Sequence, residues 1–378
     1  MKKKNSYVHL VSAVLLCGVL VLSACSPAAG APTPAPQATL TPTQAAVEPA
    51  VIPIFAYYYI WFDPTSWDKN KTDYPLLGHY SSDDPAVMRQ HIEWAKEAGI
   101  QAFIVSWKST PKLNSRLDQL VKVAQSENFK LAINYEGLDQ QRNPIPASQV
   151  ASDLDYFIAH HASNPVFAIY SKPLVVWAGT WKFSTPNIAS ITQGRRDKLM
   201  ILASDRDVAG IQRLAGLIDG DAYYFSSVNP DTFGNWQGKL AAMAKAVHDK
   251  GGLWIAPAAP GFDARLIGGT TVVDRKNGAT LQAEMNVAWQ SSPDAIGLIS
   301  WNEFTENSYI EPSQKYGRKY LDLLSSITKA PVAQVNGTNV MDSSDPGTGS
   351  EAFPTKVLAL GSIGAIVVAS MVMIARRH

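Results

Sequence analysis

The sequence predicts an α/β protein, a (β/α)8 TIM barrel, on three observations. Short apolar runs alternate with amphipathic stretches, there are about eight such alternations, and together they occupy about 280 residues. The alternative is an open, doubly wound sheet, but no glycine-rich phosphate turn follows the first predicted strand. We therefore favour the barrel, in which functional side chains lie at the C-terminal ends of the strands.

The predicted strands are apolar runs bounded by polar or turn-forming residues. They are Ile52–Tyr58, Ala102–Ser106, Lys130–Asn134, Leu174–Trp177, Leu199–Ala203, Ala222–Ser226, Leu253–Ala256 and Ile296–Ser300. The helix predicted most clearly is Pro85–Ala98, because Asp84 can cap its start and Gly99 can close its end. Weaker patterns of the same kind predict helices at Ser115–Asn128, Ser148–Ala162, Thr232–Lys250, Thr280–Ser291 and Gln314–Thr328.

The N-terminal 25 residues are typical of a signal peptide. A basic start, Lys2-Lys3-Lys4, precedes the short apolar run Val8–Leu22. The end of this segment, Leu22-Ser23-Ala24-Cys25, resembles a bacterial lipobox, which predicts lipidation of Cys25 and a place on the extracytoplasmic face of the cell membrane. Ordinary signal-peptidase cleavage and an uncleaved anchor are the alternatives. Cys17 lies in the part that would be removed, so no cysteine pair would remain for a disulfide.

The rest of the chain divides by composition into a central domain, two linkers and a second apolar segment. Residues 26–50 are rich in Pro, Ala and Thr and predict a disordered linker before the barrel domain, residues 51–330. A polar linker, 331–356, leads to the uncharged apolar run 357–375, which precedes two arginines and predicts a transmembrane helix. The alternative for this run is a buried core helix.

Charge and residue clusters argue against several classes of function. The net charge is +1 and no long basic block occurs, so we expect no nucleic-acid partner. Histidine and cysteine do not cluster at metal-ligand spacing, so we expect no metal and no other cofactor. No serine lies in a nucleophile-elbow motif.

The strongest functional signal is the segment Trp301-Asn302-Glu303-Phe304-Thr305-Glu306, which follows the last predicted strand. Paired carboxylates are the usual equipment for cleaving glycosidic bonds, one as proton donor and the other as base or nucleophile. The alternative is that Glu303 and Glu306 cap a helix or pair with arginines. In a barrel they would lie on the face where active sites form, which favours the catalytic interpretation.

Aromatic, amide and carboxylate side chains lie near the ends of the other predicted strands. Such a ring suits a neutral, hydroxyl-rich ligand better than an anion or a metal, because flat aromatic faces stack on sugars, although many of the aromatics will be core. The predicted substrate-binding residues from this reasoning are Tyr59, Trp61, Trp107, Glu136, Trp177, Asp263, Trp301 and Asn302.

Several segments, taken in order, resemble glycoside hydrolase family 99, the endo-α-mannosidases. The segments are Tyr57-Tyr58-Tyr59-Ile60-Trp61, residues 74–85 with Leu77-Gly78-His79-Tyr80-Ser81-Ser82, Asn134-Tyr135-Glu136, Pro260-Gly261-Phe262-Asp263, Asp274-Arg275 with Gly278, and residues 301–312. The resemblance covers nearly the whole central domain. It implies a (β/α)8 barrel that cleaves internal α-mannosidic bonds with retention, so an α-linked oligosaccharide or polysaccharide would be the substrate.

The resemblance also implies roles for individual residues. Glu303 would be the base that deprotonates the sugar's own 2-hydroxyl, and Glu306 the acid/base. Glu136 would contact sugar hydroxyls, and Tyr59, His79 and Tyr80 fall at aromatic and polar binding positions. The sequence departs from the family where Phe304-Thr305 replaces Trp-His and Asn307-Ser308-Tyr309 replaces Gly-Thr-Gln.

The departures keep other α-linked glycans open as substrates. A second hypothesis is a catalytically silent carbohydrate-binding surface lipoprotein, and a third is a structural protein of the cell envelope. Two close carboxylates favour the enzyme over the second hypothesis, because a protein that only binds sugar has no need of them. The third hypothesis leaves the ring of polar residues at the strand ends unexplained.

Overall fold

The computed structural model describes residues 52–69 and 71–329. Eight parallel strands close into a barrel, in which each strand pairs with the next along the chain and the last pairs with the first. They are β1 (Ile54–Tyr59), β2 (Ala102–Trp107), β3 (Lys130–Glu136), β4 (Leu174–Ala178), β5 (Met200–Ala203), β6 (Gly220–Ala222), β7 (Leu253–Ala258) and β10 (Ala295–Leu298). The predicted (β/α)8 barrel is confirmed. A short antiparallel hairpin, β8 (Phe262–Asp263) with β9 (Val272–Val273), follows β7.

The helices lie between the strands. They are α1 (Pro85–Glu97), α2 (Pro111–Ser126), α3 (Ala147–His160), α4 (Thr185–Thr192), α5 (Val208–Leu214), α6 (Trp236–His248), α7 (Ala279–Gln290) and α8 (Lys319–Lys329). The predicted cap of α1 is present, since the Asp84 carboxylate accepts a hydrogen bond from the Ala86 amide. The sequence did not predict α4 and α5, because helices of eight and seven residues carry too few turns for a clear periodic pattern.

Side chains alternate along each strand between two apolar clusters. In β2, Ala102 and Ile104 belong to the cluster inside the barrel. Phe103, Val105 and Trp107 belong to the larger cluster in which the strands pack against the helices. The direction of the last residues of each strand therefore decides which of them can reach a site at the end of the barrel.

Several predictions concern residues outside those the structure describes. They are the signal peptide 1–25 with Cys25, the linkers 26–50 and 331–356, and the transmembrane segment 357–375. Within residues 52–69 and 71–329, no helix combines the length and the apolar character needed to cross a membrane.

Candidate active site

The loop that follows β10, residues 299–312, carries both predicted catalytic carboxylates. We call it the β10 loop. Backbone hydrogen bonds fold it onto itself: the Ser300 amide donates to the Ser308 carbonyl at 2.7 Å, and the Glu311 amide to the Trp301 carbonyl at 2.9 Å. The Ser300 hydroxyl accepts the Glu303 amide at 2.8 Å. These bonds fix the backbone on both sides of the two glutamates.

Asn302 attaches the β10 loop to the end of β1. Its side-chain oxygen accepts the Tyr59 amide at 2.8 Å, and its side-chain nitrogen donates to the Tyr59 carbonyl at 3.0 Å. The side-chain nitrogen also lies 3.3 Å from the Tyr80 hydroxyl. Asn302 is completely buried, so in this structure its side-chain amide binds the backbone of β1 and not a ligand. These hydrogen bonds fix the position of the next residue, Glu303.

A buried polar network extends from Asn302 toward helix α1. The Tyr80 hydroxyl donates to one oxygen of Glu311 at 3.0 Å, and the other oxygen lies 3.1 Å from Nε2 of His91. Nδ1 of His91 lies 3.0 Å from the Tyr58 hydroxyl. Tyr80, predicted to bind substrate, is 6% exposed and is a member of this network. Since buried polar groups are costly to leave unpaired, a complete network stabilises one arrangement of the residues under the site.

Glu303 and Glu306 lie together in a buried environment, 1% and 2% exposed. Burial raises the pKa of Glu303 to about 7, while the Thr305 amide, 3.0 Å from its Oε1, and the nearby charge of Lys71 oppose the rise. Burial raises the pKa of Glu306 well above its usual value, and the charge of Glu303 adds to the rise. Oε1 of Glu306 accepts no hydrogen bond from the described residues. Near neutral pH this leaves Glu306 protonated and Glu303 partly ionised.

Glu136, at the end of β3, lines a pocket at the C-terminal end of the barrel. Its Oε1 accepts hydrogen bonds from the Ser106 hydroxyl at 2.9 Å and the Asn134 side chain at 3.0 Å. Burial raises its pKa, and its charge in turn contributes to the raised pKa of Glu306. The pocket is lined by Tyr59, Asn134, Glu136, Leu138, Arg142, Ala178, Gly179, Trp181, Ser204 and Tyr224.

Two tyrosines bring the pocket and the paired glutamates into one site. The hydroxyls of Tyr59 and Tyr224 lie 2.7 Å apart. Burial raises the pKa of both phenols well above the usual value, and the charges of Glu303 and Glu306 raise them further. Both phenols are therefore neutral hydroxyls next to the carboxyl groups. One donates to the other, which leaves one O–H to donate and the phenol oxygens to accept hydrogen bonds from a ligand.

Two other predicted binding residues lie at the rim near β1. The half-buried Trp61 ring lies 4.4 Å, centre to centre, from the ring of Tyr59. His79 is exposed, and its ring stacks on Tyr74 at 5.3 Å. The structure thus brings Trp61 to the edge of the pocket and leaves His79 farther out, on the loop between β1 and α1.

Three predicted tryptophans point away from the pocket. Trp107, Trp177 and Trp301 are at most 1% exposed and belong to the cluster between the strands and the helices. Their partners there are structural: the Trp107 indole donates to Asn114 at 2.9 Å, and Trp301 packs on Phe103 with ring centres 5.3 Å apart. For Trp107 and Trp177 the strand alternation explains this placement, because each lies out of phase with the inward-facing residues of its strand. Trp301 lies in the β10 loop, beyond the end of β10.

Asp263 supports the site through its backbone. Its carboxylate binds the Arg265 guanidinium at 2.6 and 2.9 Å, and these hydrogen bonds hold the pKa of Asp263 below its usual range. Its amide donates to the Glu306 carbonyl at 2.7 Å. The hairpin of β8 and β9 therefore holds the backbone at Glu306 in place, and in this structure the Asp263 carboxylate is bound by arginine.

Arg275 anchors the other side of the β10 loop. Its Nη2 donates to the carbonyls of Asn307 and Tyr309 at 2.9 and 2.8 Å. The guanidinium carbon lies 4.6, 4.9 and 4.4 Å from the ring centres of Tyr309, Tyr316 and Tyr320. Only 5% of Arg275 is exposed, so its charge is buried between aromatic faces. Its hydrogen bonds hold the backbone just after Glu306.

The predicted catalytic and substrate-binding residues do not include three further residues of the site: Lys71, Arg142 and Tyr224. Tyr224 lies just beyond β6, where the rule that barrel sites form at strand ends places it. Lys71 and Arg142 lie in loops, and no spacing in the sequence links them to the carboxylates whose pKa values they lower. The described residues contain no group of three His, Cys, Asp or Glu side chains arranged to hold a metal.

A family model described as glycosyl hydrolase family 99 matches residues 57–328, most of the chain. The chain belongs to glycosyl hydrolase family 99. The resemblance inferred from the sequence is therefore confirmed.

This family 99 protein is similar to curated mammalian proteins. The glycoprotein endo-alpha-1,2-mannosidase-like protein of Mus musculus is 25% identical over 283 residues, which cover 68% of this chain and 62% of the relative. The glycoprotein endo-alpha-1,2-mannosidase of Rattus norvegicus is 25% identical over 280 residues, which cover 68% and 60%. The chain thus spans about 60% of the length of these relatives.

Among solved structures, the GH99 endo-alpha-mannosidase from Bacteroides thetaiotaomicron resembles this family 99 protein in fold. The TM-score is 0.62 at 20% sequence identity, and the match covers 73% of this chain and 96% of that one.

The departure at Phe304-Thr305 has a clear structural setting in this family 99 protein. Phe304 is fully buried and stacks on Tyr309, ring centres 4.0 Å apart, with the Trp67 ring edge-on at 5.5 Å. Phe304 therefore fills the interior of the β10 loop. Thr305 presents its amide to Glu303, and its hydroxyl also lowers the pKa of that carboxyl.

Proposed function

We propose that this protein is a retaining, endo-acting glycoside hydrolase that cleaves α-linked, mannoside-like glycans with help from the substrate's own 2-hydroxyl. The observation that carries the proposal is the buried pair Glu303 and Glu306, whose environments push their pKa values apart. The names of the relatives, endo-alpha-1,2-mannosidases, favour an α-mannoside as the substrate.

In the first step, ionised Glu303 takes the proton of the 2-hydroxyl on the sugar at the cleaved bond. That oxygen attacks the anomeric carbon and forms a 1,2-epoxide, while Glu306 donates its proton to the departing glycosidic oxygen. In the second step, ionised Glu306 takes a proton from water, the water oxygen attacks the anomeric carbon, and Glu303 returns its proton to the 2-oxygen. Two inversions give net retention, and both glutamates end in their starting states.

The surroundings of each glutamate suit these roles. A base works best when its pKa lies near the working pH, and the pKa of Glu303 is about 7. The acid must hold its proton in the free enzyme, and the buried Glu306 does so beside Glu303. Tyr59, Tyr224 and Glu136 supply hydrogen-bonding groups for sugar hydroxyls in the adjoining pocket.

We also propose that the enzyme works on the extracytoplasmic face of the cell membrane. The supporting observations are the basic start and apolar run of residues 1–25 and the lipobox-like sequence that ends at Cys25. Lipidation at Cys25 and the apolar run 357–375 would each place the barrel next to the membrane.

The test is product analysis with the full chain. We expect cleavage of an α-mannan within a panel of α-mannans, α-glucans and mixed α-linked oligosaccharides, with oligosaccharide products and newly formed reducing ends that are first α-configured by NMR. β-Configured ends would contradict retention, and monosaccharide as the sole product would contradict endo action. Binding of an α-glycan without cleavage would favour the alternative, a catalytically silent carbohydrate-binding lipoprotein.

The pH dependence of the reaction tests the role of Glu303. The charge of Lys71 lowers the pKa of Glu303, so Lys71→Met should raise that pKa. Because the base must be ionised, the acidic limb of kcat/KM moves to higher pH, and we expect a several-fold loss at pH 6 that shrinks toward pH 8. A pH–rate series measures the shift. Lys245→Met, on the exposed face of α6 beside Asp249, is the control and should leave the profile unchanged. An unshifted acidic limb in Lys71→Met would contradict the assignment of that limb to Glu303.

A further inference from the structure

An indole in the wall of the pocket, that of Trp181, stacks against the guanidinium of Arg206. Trp181 follows β4 and Arg206 follows β5, so both lie at the C-terminal face of the barrel. The guanidinium carbon of Arg206 lies 4.3 Å from the centre of the Trp181 ring, and Trp181 lines the pocket together with Glu136 and Tyr224. The stacking holds the flat cation beside the sugar site.

The donors of this guanidinium are not used within the described part of the chain. Among those residues the Arg206 side chain makes no hydrogen bond, and no carboxylate lies within ion-pair distance of it. The two nearest acidic residues in sequence are engaged elsewhere. Asp205 binds Arg213 at 3.1 Å, and Asp207 caps α5 by accepting the Gly210 amide at 2.9 Å. A half-buried guanidinium with free donors is well suited to a ligand with several acceptor oxygens.

A second guanidinium comes from the loop after β3. Asp139 closes this loop by accepting the amides of Gln141 and Asn143 at 2.9 and 2.8 Å. Arg142 adopts φ 67°, a left-handed conformation that is costly for a non-glycine residue, and it lines the same pocket. Burial lowers the pKa of Arg142, the charge of Glu136 opposes that shift, and the charge of Arg206 lowers the pKa further, so the two cations lie close enough to repel each other.

We propose that Trp181, Arg206 and Arg142 form a subsite for a negatively charged substituent on the glycan, a phosphate, sulfate or carboxylate group near the cleaved bond. Such an anion would offset the repulsion between the two guanidiniums. Its oxygens match the planar donor pattern of arginine, and partial burial makes the charge pair stronger than it would be in water. The inference rests on the proposed function and narrows its substrate to acidic α-mannosides.

Lys108 is a third cation near the pocket, because its charge acts on the pocket residue Glu136. It follows β2, and it is one of the cations that lower the pKa of Glu136. The charge of Arg142 lowers the same pKa, so two cations lie near this pocket carboxylate. An acidic substituent would therefore be attracted to this side of the site, whereas a neutral sugar would gain only hydrogen bonds.

The test compares a phosphorylated α-mannan oligosaccharide with its dephosphorylated counterpart and with a version oxidised to the carboxylate at C6. For the parent enzyme we expect kcat/KM to be about tenfold higher on at least one charged substrate, with the advantage shrinking as salt is raised. Arg206→Gln should remove most of that ratio, mainly through KM, and Arg206→Lys should keep part of it. Arg89→Gln is the matched control, because Arg89 is an exposed arginine on α1 that pairs with Glu127.

The outcomes separate this inference from the proposed function. Cleavage of the neutral oligosaccharide at the same rate as both charged ones would overturn the subsite and leave the glycosidase in place. Calorimetric binding to the Glu306→Gln variant gives a second readout that needs no turnover. Equal affinity for charged and neutral oligosaccharides there would also overturn the subsite. Charge-selective binding without any cleavage by the parent would support the subsite and count against the enzyme.

Discussion

Replacement of Glu306 by Gln should lower turnover of an α-mannan by about 10²- to 10⁴-fold, because the departing oxygen loses its proton donor. On an α-mannosyl fluoride the loss should be much smaller for the first step, since fluoride leaves without protonation. Replacement of Glu303 by Gln should reduce the rate on both substrates, because the 2-hydroxyl is no longer activated in either case. Release of reducing sugar and of fluoride measures the two rates.

Glu284 supplies a matched control for these two variants. It is a carboxyl group on α7, 1% exposed, and burial raises its pKa to about 8, yet it lies beside Trp236 and outside the pocket. Glu284→Gln should keep parental turnover. Near-parental activity in Glu303→Gln or Glu306→Gln would overturn the catalytic assignment. If Glu306→Gln lost the same factor in rate on the α-mannan and on the α-mannosyl fluoride, the result would contradict the role of Glu306 as the acid.

The barrel could be predicted because its evidence is local and repeated. Most of the buried parallel strands are nearly continuous apolar runs, and the long helices α1 and α2 each begin at a side-chain cap and carry an apolar face. What the sequence did not indicate were the elements with little local signal. The helices α4 and α5 are too short for a periodic pattern, and the β8–β9 hairpin consists of two strands of two residues each.

The same continuity explains why some site residues could be predicted and others could not. Parallel strands bring their C-terminal ends together, so the placement of Glu136 with Glu303 and Glu306 follows from the topology. The direction in which a side chain points does not follow from the topology. The strand β2 is apolar on both faces, so its sequence shows no alternating pattern: Ala102-Phe103-Ile104-Val105-Ser106-Trp107. Ser106 consequently reaches Glu136, while Trp107 packs against the helices.

Contacts between loop residues that are far apart in the sequence cannot be predicted from local sequence patterns. Arg275 precedes its carbonyl partners by 32 and 34 residues, and Arg142 reaches the charge of Glu306 from the loop after β3. Such contacts depend on how separate loops meet above the barrel, which no local pattern encodes. Only the family resemblance marked Arg275, and it did so without assigning it a role.

Arg275→Met should lower the free energy of unfolding by roughly 3 kcal/mol or more, because it removes two charge-assisted hydrogen bonds and leaves the carbonyls of Asn307 and Tyr309 without a donor. The three tyrosine rings would also lose the cation between them, a further contribution of about 1 kcal/mol. Denaturant unfolding measures the change. Arg318→Met, which removes an exposed arginine paired with Glu97, is the control and should change stability by less than about 1 kcal/mol.

The same substitution should affect catalysis through the position of Glu306, which makes Arg275 a positioning residue. Asn307 and Tyr309 lie one and three residues beyond Glu306, so a loosened β10 loop displaces the proposed acid. The pocket tyrosines Tyr59 and Tyr224 stay in place at the ends of the barrel strands. We therefore expect kcat to fall by more than tenfold with KM within a few-fold of the parent. Arg275→Lys keeps a cation between the rings but loses the planar guanidinium. We therefore expect it to fold even if Arg275→Met does not, and to show the same fall in kcat with little change in KM. Parental kcat in a folded Arg275→Lys protein, together with parental stability of Arg275→Met, would show that the loop holds Glu306 without this anchor.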